Sequence, residues 1–279
     1  MKRKWRRIDV ALLFDPVRAF VFEMIIREAQ IKALEDAAAH NFVGELSEHC
    51  KEFSPHLTKT LDDKQLNEAV EEGIKRAGNH KLDLRGPVRF YVDLMIVFGS
   101  GFDSDPQYPW IAETLAKDEE LDQMSRMETI HEASQEYLEH VDGPNNIHTL
   151  KALEDLSIRM RSGIKFPEQH LGTFTLDLLK EVHPRKYERT GEDALKMLWA
   201  ESMELGRERY QFTSPRSLAL LAILGFAFGH HFHNDPFLPW ITRTLEEKEF
   251  DDPEKRAEDL ERRALIWLDA VLENAKGDK

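Results

Sequence analysis

Cysteine occurs once in this chain, at Cys50. A lone thiol excludes an internal disulfide framework and a CxxC metal or redox site, and fits a reducing compartment. Long apolar runs are also missing: Leu218 to Gly229 is the longest, short of the ~18 residues that span a bilayer. The start, Met1-Lys2-Arg3-Lys4-Trp5-Arg6-Arg7, has the charge of a secretion signal. The stretch Ile8 to Phe14 that follows is too short, contains Asp9 and offers no small-residue cleavage site. A cytoplasmic location is expected. Basic charge is in deficit, with 38 Lys and Arg against 52 Asp and Glu and a net charge of −14. That balance disfavours nucleic acid, whose phosphates need clustered Lys and Arg, and favours a cationic partner or simple solubility. No glycine-rich phosphate loop and no His-Glu-x-x-His pattern occurs, and Gly99-Ser100-Gly101 lacks the spacing of a nucleophile elbow. The sequence nominates no reaction, and no cofactor and no membrane partner are expected.

What is present is a repeat. Residues 98–115, FGSGFDSDPQYPWIAETL, return as residues 228–245, FGHHFHNDPFLPWITRTL. Phe98/Phe228, Gly99/Gly229, Phe102/Phe232, Asp105/Asp235, Pro106/Pro236, Pro109/Pro239, Trp110/Trp240, Ile111/Ile241, Thr114/Thr244 and Leu115/Leu245 are identities. A packing residue should recur in both copies of such a repeat, whereas a residue serving chemistry can stand in one.

Almost every segment reads as helix. Asp15-Pro16 gives an N-cap and a first-turn proline, followed by a stripe of Val17, Phe20, Val21, Met24, Ile25, Ile31 and Leu34 at helical spacing. Further helices are predicted over Phe42–Phe53, Asp63–Ala77, Val88–Gly99, a short one from Pro109, and Asp122–Val141. The order recurs from His183-Pro184 through Glu192–Arg209, Leu218–Phe228, a helix from Pro239 and another from Pro253. Residues 8–14 are at best a short strand. Val88–Gly99 and Leu218–Phe228 are apolar nearly all round, which predicts the most central helices of the core. The expected fold class is all-α: two similar multi-helix repeats, 15–142 and 148–275, packed into one pseudo-twofold body.

The D-P-x-x-P-W element has a local explanation. Its Asp accepts backbone hydrogen bonds in a turn, the prolines end one helix and start the next, and the tryptophan fixes the new helix on the core. Truncating either tryptophan is expected to cost about 3–5 kcal/mol. The asymmetric insert is Ser100, Gly101 and Asp103 in copy one against His230, His231 and His233 in copy two. Three histidines before Asp235 raise a metal-dependent enzyme as an alternative. His231 points away from the other two on a helix, so no metal site is expected. His49 and Cys50 are adjacent and diverge on a helix, which rules out a nucleophile–base pair. Glu72 and Glu201 occupy matching positions and are expected to pair with basic side chains.

Acidic runs follow each copy of the motif, Asp118-Glu119-Glu120-Leu121-Asp122 and Glu246-Glu247-Lys248-Glu249-Phe250-Asp251-Asp252. Glu128, Glu132, Glu136 and Glu139 continue along the next helix. Glu119, Glu120, Asp122, Glu247, Glu249 and Asp251 are therefore candidates for docking a basic protein, and Tyr108 and Phe237 are candidate exposed aromatic contacts in the turns.

From the pattern around Gly73-Ile74-Lys75-Arg76-Ala77 through Phe98-Gly99-Ser100-Gly101-Phe102-Asp103-Ser104-Asp105-Pro106-Gln107-Tyr108-Pro109-Trp110, the chain resembles a bacterial family of duplicated helical proteins found near type VI secretion and polymorphic-toxin loci. The resemblance covers about 30–117 and 174–247, and copy two departs from it at the histidines. It implies an immunity protein that binds and occludes a toxin-like partner, or an effector-handling adaptor. It carries no catalytic residues over.

Overall fold

The computed structural model describes residues 28–247 and 252–277, and every described element is helical. The predicted cap at Asp15-Pro16, the stripe from Val17 to Ile25 and the strand at 8–14 lie outside the described residues, as do Lys248, Glu249, Phe250 and Asp251. The first described helix, α1 (Glu28–Phe53), runs unbroken where the sequence suggested two helices. No glycine or proline interrupts residues 34–42, and Ala37-Ala38-Ala39 favours continuation. Leu34, expected to face inward, is exposed.

Ser54 then leads into α2 (Pro55–Thr58), and α3 (Asp63–Asn79) starts at a reciprocal capping box between Asp62 and Gln65. α4 (Arg85–Phe98), α5 (Pro109–Leu115) and α6 (Gln123–Val141) complete the first half, with Asp122 accepting from the Ser125 N–H to cap α6. The second half holds α7 (Ile147–Arg161), α8 (Leu171–Val182), α9 (Pro184–Thr190) and α10 (Glu192–Glu204). One wide π turn, Leu205–Arg209, extends α10, and α11 (Pro215–Phe228), α12 (Pro239–Glu246) and α13 (Pro253–Gly277) follow.

Among the described residues, buried apolar side chains form two clusters. One spans Val43 to Val141 and includes Phe237; the other spans Leu156 to Ala264. The two predicted central helices differ. Every residue of α11 from Ser217 to Phe226 is buried, while α4 shows Arg89 and Val97 to solvent. The single Arg and Asp of α4 beyond its first turn give it an outer face that α11, apolar from Leu218 to Phe228, lacks.

Each half is also pinned by an arginine. Arg126, 2% exposed, donates at 2.9 Å to both the His80 and Leu115 carbonyls. Arg256 donates to the Leu245 carbonyl at 3.3 Å and the Tyr210 carbonyl at 3.2 Å. In both cases a guanidinium satisfies the open carbonyl ends of two segments at once.

Trp110 and Trp240 of the repeated turn are each half-buried rather than enclosed. Trp110 lies edge-on to Phe98 at 6.1 Å and tilted to Tyr137 at 6.3 Å. The indole N–H of Trp240 is enclosed without a partner. We therefore expect Trp110→Ala to cost about 3 kcal/mol, the low end for a truncated aromatic. Urea unfolding of the variant checks this, and an unchanged midpoint would mean that the ring does not hold α5 to the core.

Candidate functional site

The two D-P-x-x-P-W turns meet, and each completes the other half. After α4 the backbone turns at Gly99 (φ 90°, ψ 153°), and after α11 it turns at Gly229 (φ 90°, ψ 158°). Asp105 accepts from the His230 N–H at 2.8 Å, and Asp235 accepts from the Ser100 N–H at 2.8 Å. Each carboxylate also holds its own turn, Asp105 through the Gln107 N–H and Asp235 through the Phe237 N–H, both at 2.8 Å. Gln107 reaches across to the Gly225 carbonyl at 3.0 Å. Phe237 packs into the core of the first half. Burial pushes the Asp235 carboxyl above its ordinary range, while the Ser100 and Phe237 amides pull it back.

This arrangement corrects one expectation. Tyr108 and Phe237 are 3% and 2% exposed, so they are core residues and not surface contacts. Phe237 is covered by the first half and Tyr108 by Phe98 and Tyr137 of its own half, tertiary contacts that the sequence does not show.

The asymmetric insert now has a steric reason. A Cβ on Gly101 would lie 2.7 Å from the His231 Cβ, so the small residues of copy one make room for the imidazoles of copy two. His230 and His231 stack at 4.0 Å with ring planes 6° apart. Burial lowers His231 and His233 to about 4, so both are neutral at pH 7. Asp103, the copy-one counterpart of His233, receives Arg76 at 2.5 Å, His80 at 2.9 Å and the Tyr91 hydroxyl at 2.6 Å. Burial alone would raise its carboxyl, but these partners outweigh it and hold Asp103 well below the usual carboxylate range.

His230 is the most connected of the three histidines. Its Nδ1 meets a Glu201 carboxylate oxygen at 3.1 Å, and its Nε2 meets the Ser104 hydroxyl at 3.2 Å. The order Ser–His–Glu is that of an acyl-transfer relay, and it borders a cavity of about 400 Å³ lined by Glu201, Glu204, Glu208, Arg209, His231 and His233. Acyl transfer also needs free donors for the oxyanion. The nearby N–H groups of Ser100, Phe102, Ser104 and His230 are all spent on Asp235, Gly99, Gly101 and Asp105. The relay is better understood as a fastener between the halves. Glu201 thus has a cationic-capable partner in His230, and Glu72 has one in Lys75 at 3.2 Å. Among the described residues no group of three or more His, Cys, Asp or Glu could hold a metal ion. Cys50 is buried, and burial raises its thiol to about 12, which makes it inert packing.

Compared with models of protein families, with curated proteins and with solved structures, the chain matches none.

The acidic candidates separate into two groups. Glu119 and Glu120 are exposed and make no ion pair among the described residues. Asp118 pairs with Lys81, and Asp122 is spent on the α6 cap. In the second run Glu246 pairs with Arg209 at 3.2 Å and Glu247 with Arg263 at 3.0 Å. Glu249 and Asp251 lie outside the described residues. On α6, Glu128, Glu132 and Glu139 are exposed and unpaired among the described residues, while Glu136 meets Arg189 at 3.1 Å. The two runs follow equivalent turns but differ in available charge, because α13 supplies Arg263 and the π turn supplies Arg209.

Proposed function

We propose that this chain is a non-enzymatic protein-binding module, an immunity-type protein that occludes a basic, toxin-like partner. The observation that carries this reading is the uncompensated carboxylate surface of Glu119, Glu120, Glu128, Glu132 and Glu139 in a chain of net charge −14. Acidic side chains left unpaired along one helix and the turn before it create a field that steers a cationic surface into contact. A rigid platform lowers the ordering cost of binding, and the reciprocal Asp105 and Asp235 contacts supply that rigidity. Matching angles at Gly99 and Gly229, and at Tyr108 (φ −129°, ψ 52°) and Leu238 (φ −123°, ψ 50°), support two copies about a local twofold axis. An adaptor that escorts an effector would use the same surface and differ by releasing its partner. The metal-dependent alternative has no ligand group among the described residues to build on.

The test starts from the partner co-purified with the full chain from its native host. The double substitution Glu128→Lys with Glu132→Lys should lower the association rate about tenfold at low salt, with a smaller effect near physiological ionic strength, where the screening length is ~8 Å. The same loss is expected from Glu119→Lys with Glu120→Lys. Stopped-flow association that ignores both salt and these reversals would remove the acidic face from the interface. A partner whose activity continues in the complex would remove occlusion.

A further inference from the structure

A second cavity, of about 210 Å³, lies where α4 and α6 face α7, α8, α9 and α11. Its walls are mostly apolar, including Phe98, Leu156, Leu179 and Ile223. One cation enters it. Lys186, from the first turn of α9, is partly exposed as a residue, yet its ammonium is enclosed. The Nζ donates to the Phe226 carbonyl at 2.5 Å and sits 4.9 Å from the Phe226 ring and 5.9 Å from the Tyr108 ring.

The plain structural role of Lys186 is to cap the carbonyl end of α11, where a cation is favourable. That role uses one of three ammonium donors. No carboxylate lies within ion-pair distance of Lys186 among the described residues. The two that bear on it are engaged elsewhere: Asp105 by Gln107 and His230, and Asp142, which also lines the cavity, by the Thr149 hydroxyl. A hydroxyl-bearing side chain lies on the same wall. Tyr137, only 3% exposed, lines the same cavity, with the Thr190 and Tyr108 hydroxyls as its neighbours and no charged partner among the described residues. An enclosed ammonium without a counter-ion is costly in a protein interior, and an anionic headgroup would relieve that cost.

We propose that this cavity binds a small apolar monocarboxylate, its headgroup taken by the Lys186 ammonium with the Tyr137 hydroxyl as an available second donor, and its tail among Phe98, Leu156 and Ile223. The volume is below the ~300–1,000 Å³ of drug-sized sites, which limits the ligand to an aromatic or short aliphatic acid. Burial lowers Lys186 to about 8, against the pull of Asp105 and Asp142, so the ammonium is still the main form at pH 7. A bound carboxylate would stabilise that charge further. This site is independent of the acidic α6 surface, so either can fail without the other.

Benzoate is the probe and benzyl alcohol its neutral control, both with the full chain. Calorimetry at pH 7 should show benzoate binding at least tenfold tighter than benzyl alcohol. Lys186→Met, which keeps the stem and removes the charge, should abolish that preference while leaving benzyl alcohol binding in place. Tyr137→Phe should weaken benzoate several-fold. Equal binding of the two probes, or an unchanged preference in Lys186→Met, overturns the proposal. A readout in the unmodified protein covers the case in which Lys186→Met fails to fold. Reductive methylation at pH 8, read by mass spectrometry, should be slowed by benzoate at Lys186 and not at exposed Lys180. Loss of protection at Lys186 also overturns the proposal.

Discussion

Gly99→Ala is expected to lower the unfolding free energy by about 4 kcal/mol or more, enough to leave little folded protein in a chain of ordinary stability. Two costs coincide there. The backbone has φ 90°, a region that L side chains avoid, and a Cβ would fall on the Phe228 carbonyl oxygen, which is backbone and cannot rotate away. Gly229→Ala meets the same φ and a Cβ 2.8 Å from the Phe98 carbonyl oxygen, so a loss of similar kind is expected. Gly163→Ala is the control, because Gly163 has φ 75° but nothing within 4 Å of the added carbon. It isolates the backbone cost, about 1 kcal/mol. Denaturant melts of the three variants give the comparison. If Gly99→Ala unfolds no earlier than Gly163→Ala, the two turns do not approach each other as described.

The second large effect is acid lability that begins before the carboxylates titrate. Burial lowers His183, His231 and His233 from an ordinary 6.5 to about 4. A histidine with a depressed folded value is protonated first in the unfolded chain. Its contribution is whole above about 6.5, falls as pH drops towards about 4, and falls no further below that. After allowance for partial exposure, about 1–2 kcal/mol per histidine is expected, several kcal/mol in sum. Urea midpoints measured from pH 7.5 to 4.5 should therefore decline steadily, and His231→Gln with His233→Gln should flatten the decline. A midpoint that holds across this window would show that these imidazoles are not kept neutral by the fold. Glu254 acts in a lower window: hydrogen bonds from Ser217, Thr213 and Ser214 outweigh its burial and bring it to about 2, so its contribution is lost between about 4.5 and 2.

The helices that the sequence predicted were readable because their signals are local, whereas α2, α7, α8 and α9 were not predicted as separate helices. Asp62 with Gln65, Asp122 before Gln123, and Pro109, Pro215 and Pro239 at first turns all act within a few residues. The turn chemistry of Asp105 and Asp235 was half readable. Their contacts to Gln107 and Phe237 follow from an Asp two residues earlier, but their contacts to His230 and Ser100 join residues more than 120 positions apart. No spacing rule reaches that far, so Phe237 looked exposed; Tyr108 did too, because its packing on Phe98 and Tyr137 is tertiary. The Lys186 cavity left no trace for a similar reason. The α9 sequence, Pro-Arg-Lys-Tyr-Glu-Arg-Thr, is polar throughout, and only the tertiary contact with α11 turns its one lysine inward. The acidic surface shows the opposite error: two runs alike in sequence differ once Arg209 and Arg263 neutralise one of them.

The exchange between Asp235 and Ser100 also sets a schedule for synthesis. The two residues are separated by 135 positions. At roughly 5–20 residues per second, the carboxylate that secures the end of α4 leaves the peptidyl-transferase centre on the order of ten seconds after the segment it secures. During that interval the first half carries an unanswered backbone donor and an aromatic socket still waiting for Phe237. A codon change that slows translation between the two turns would lengthen that exposure without altering a single amino acid.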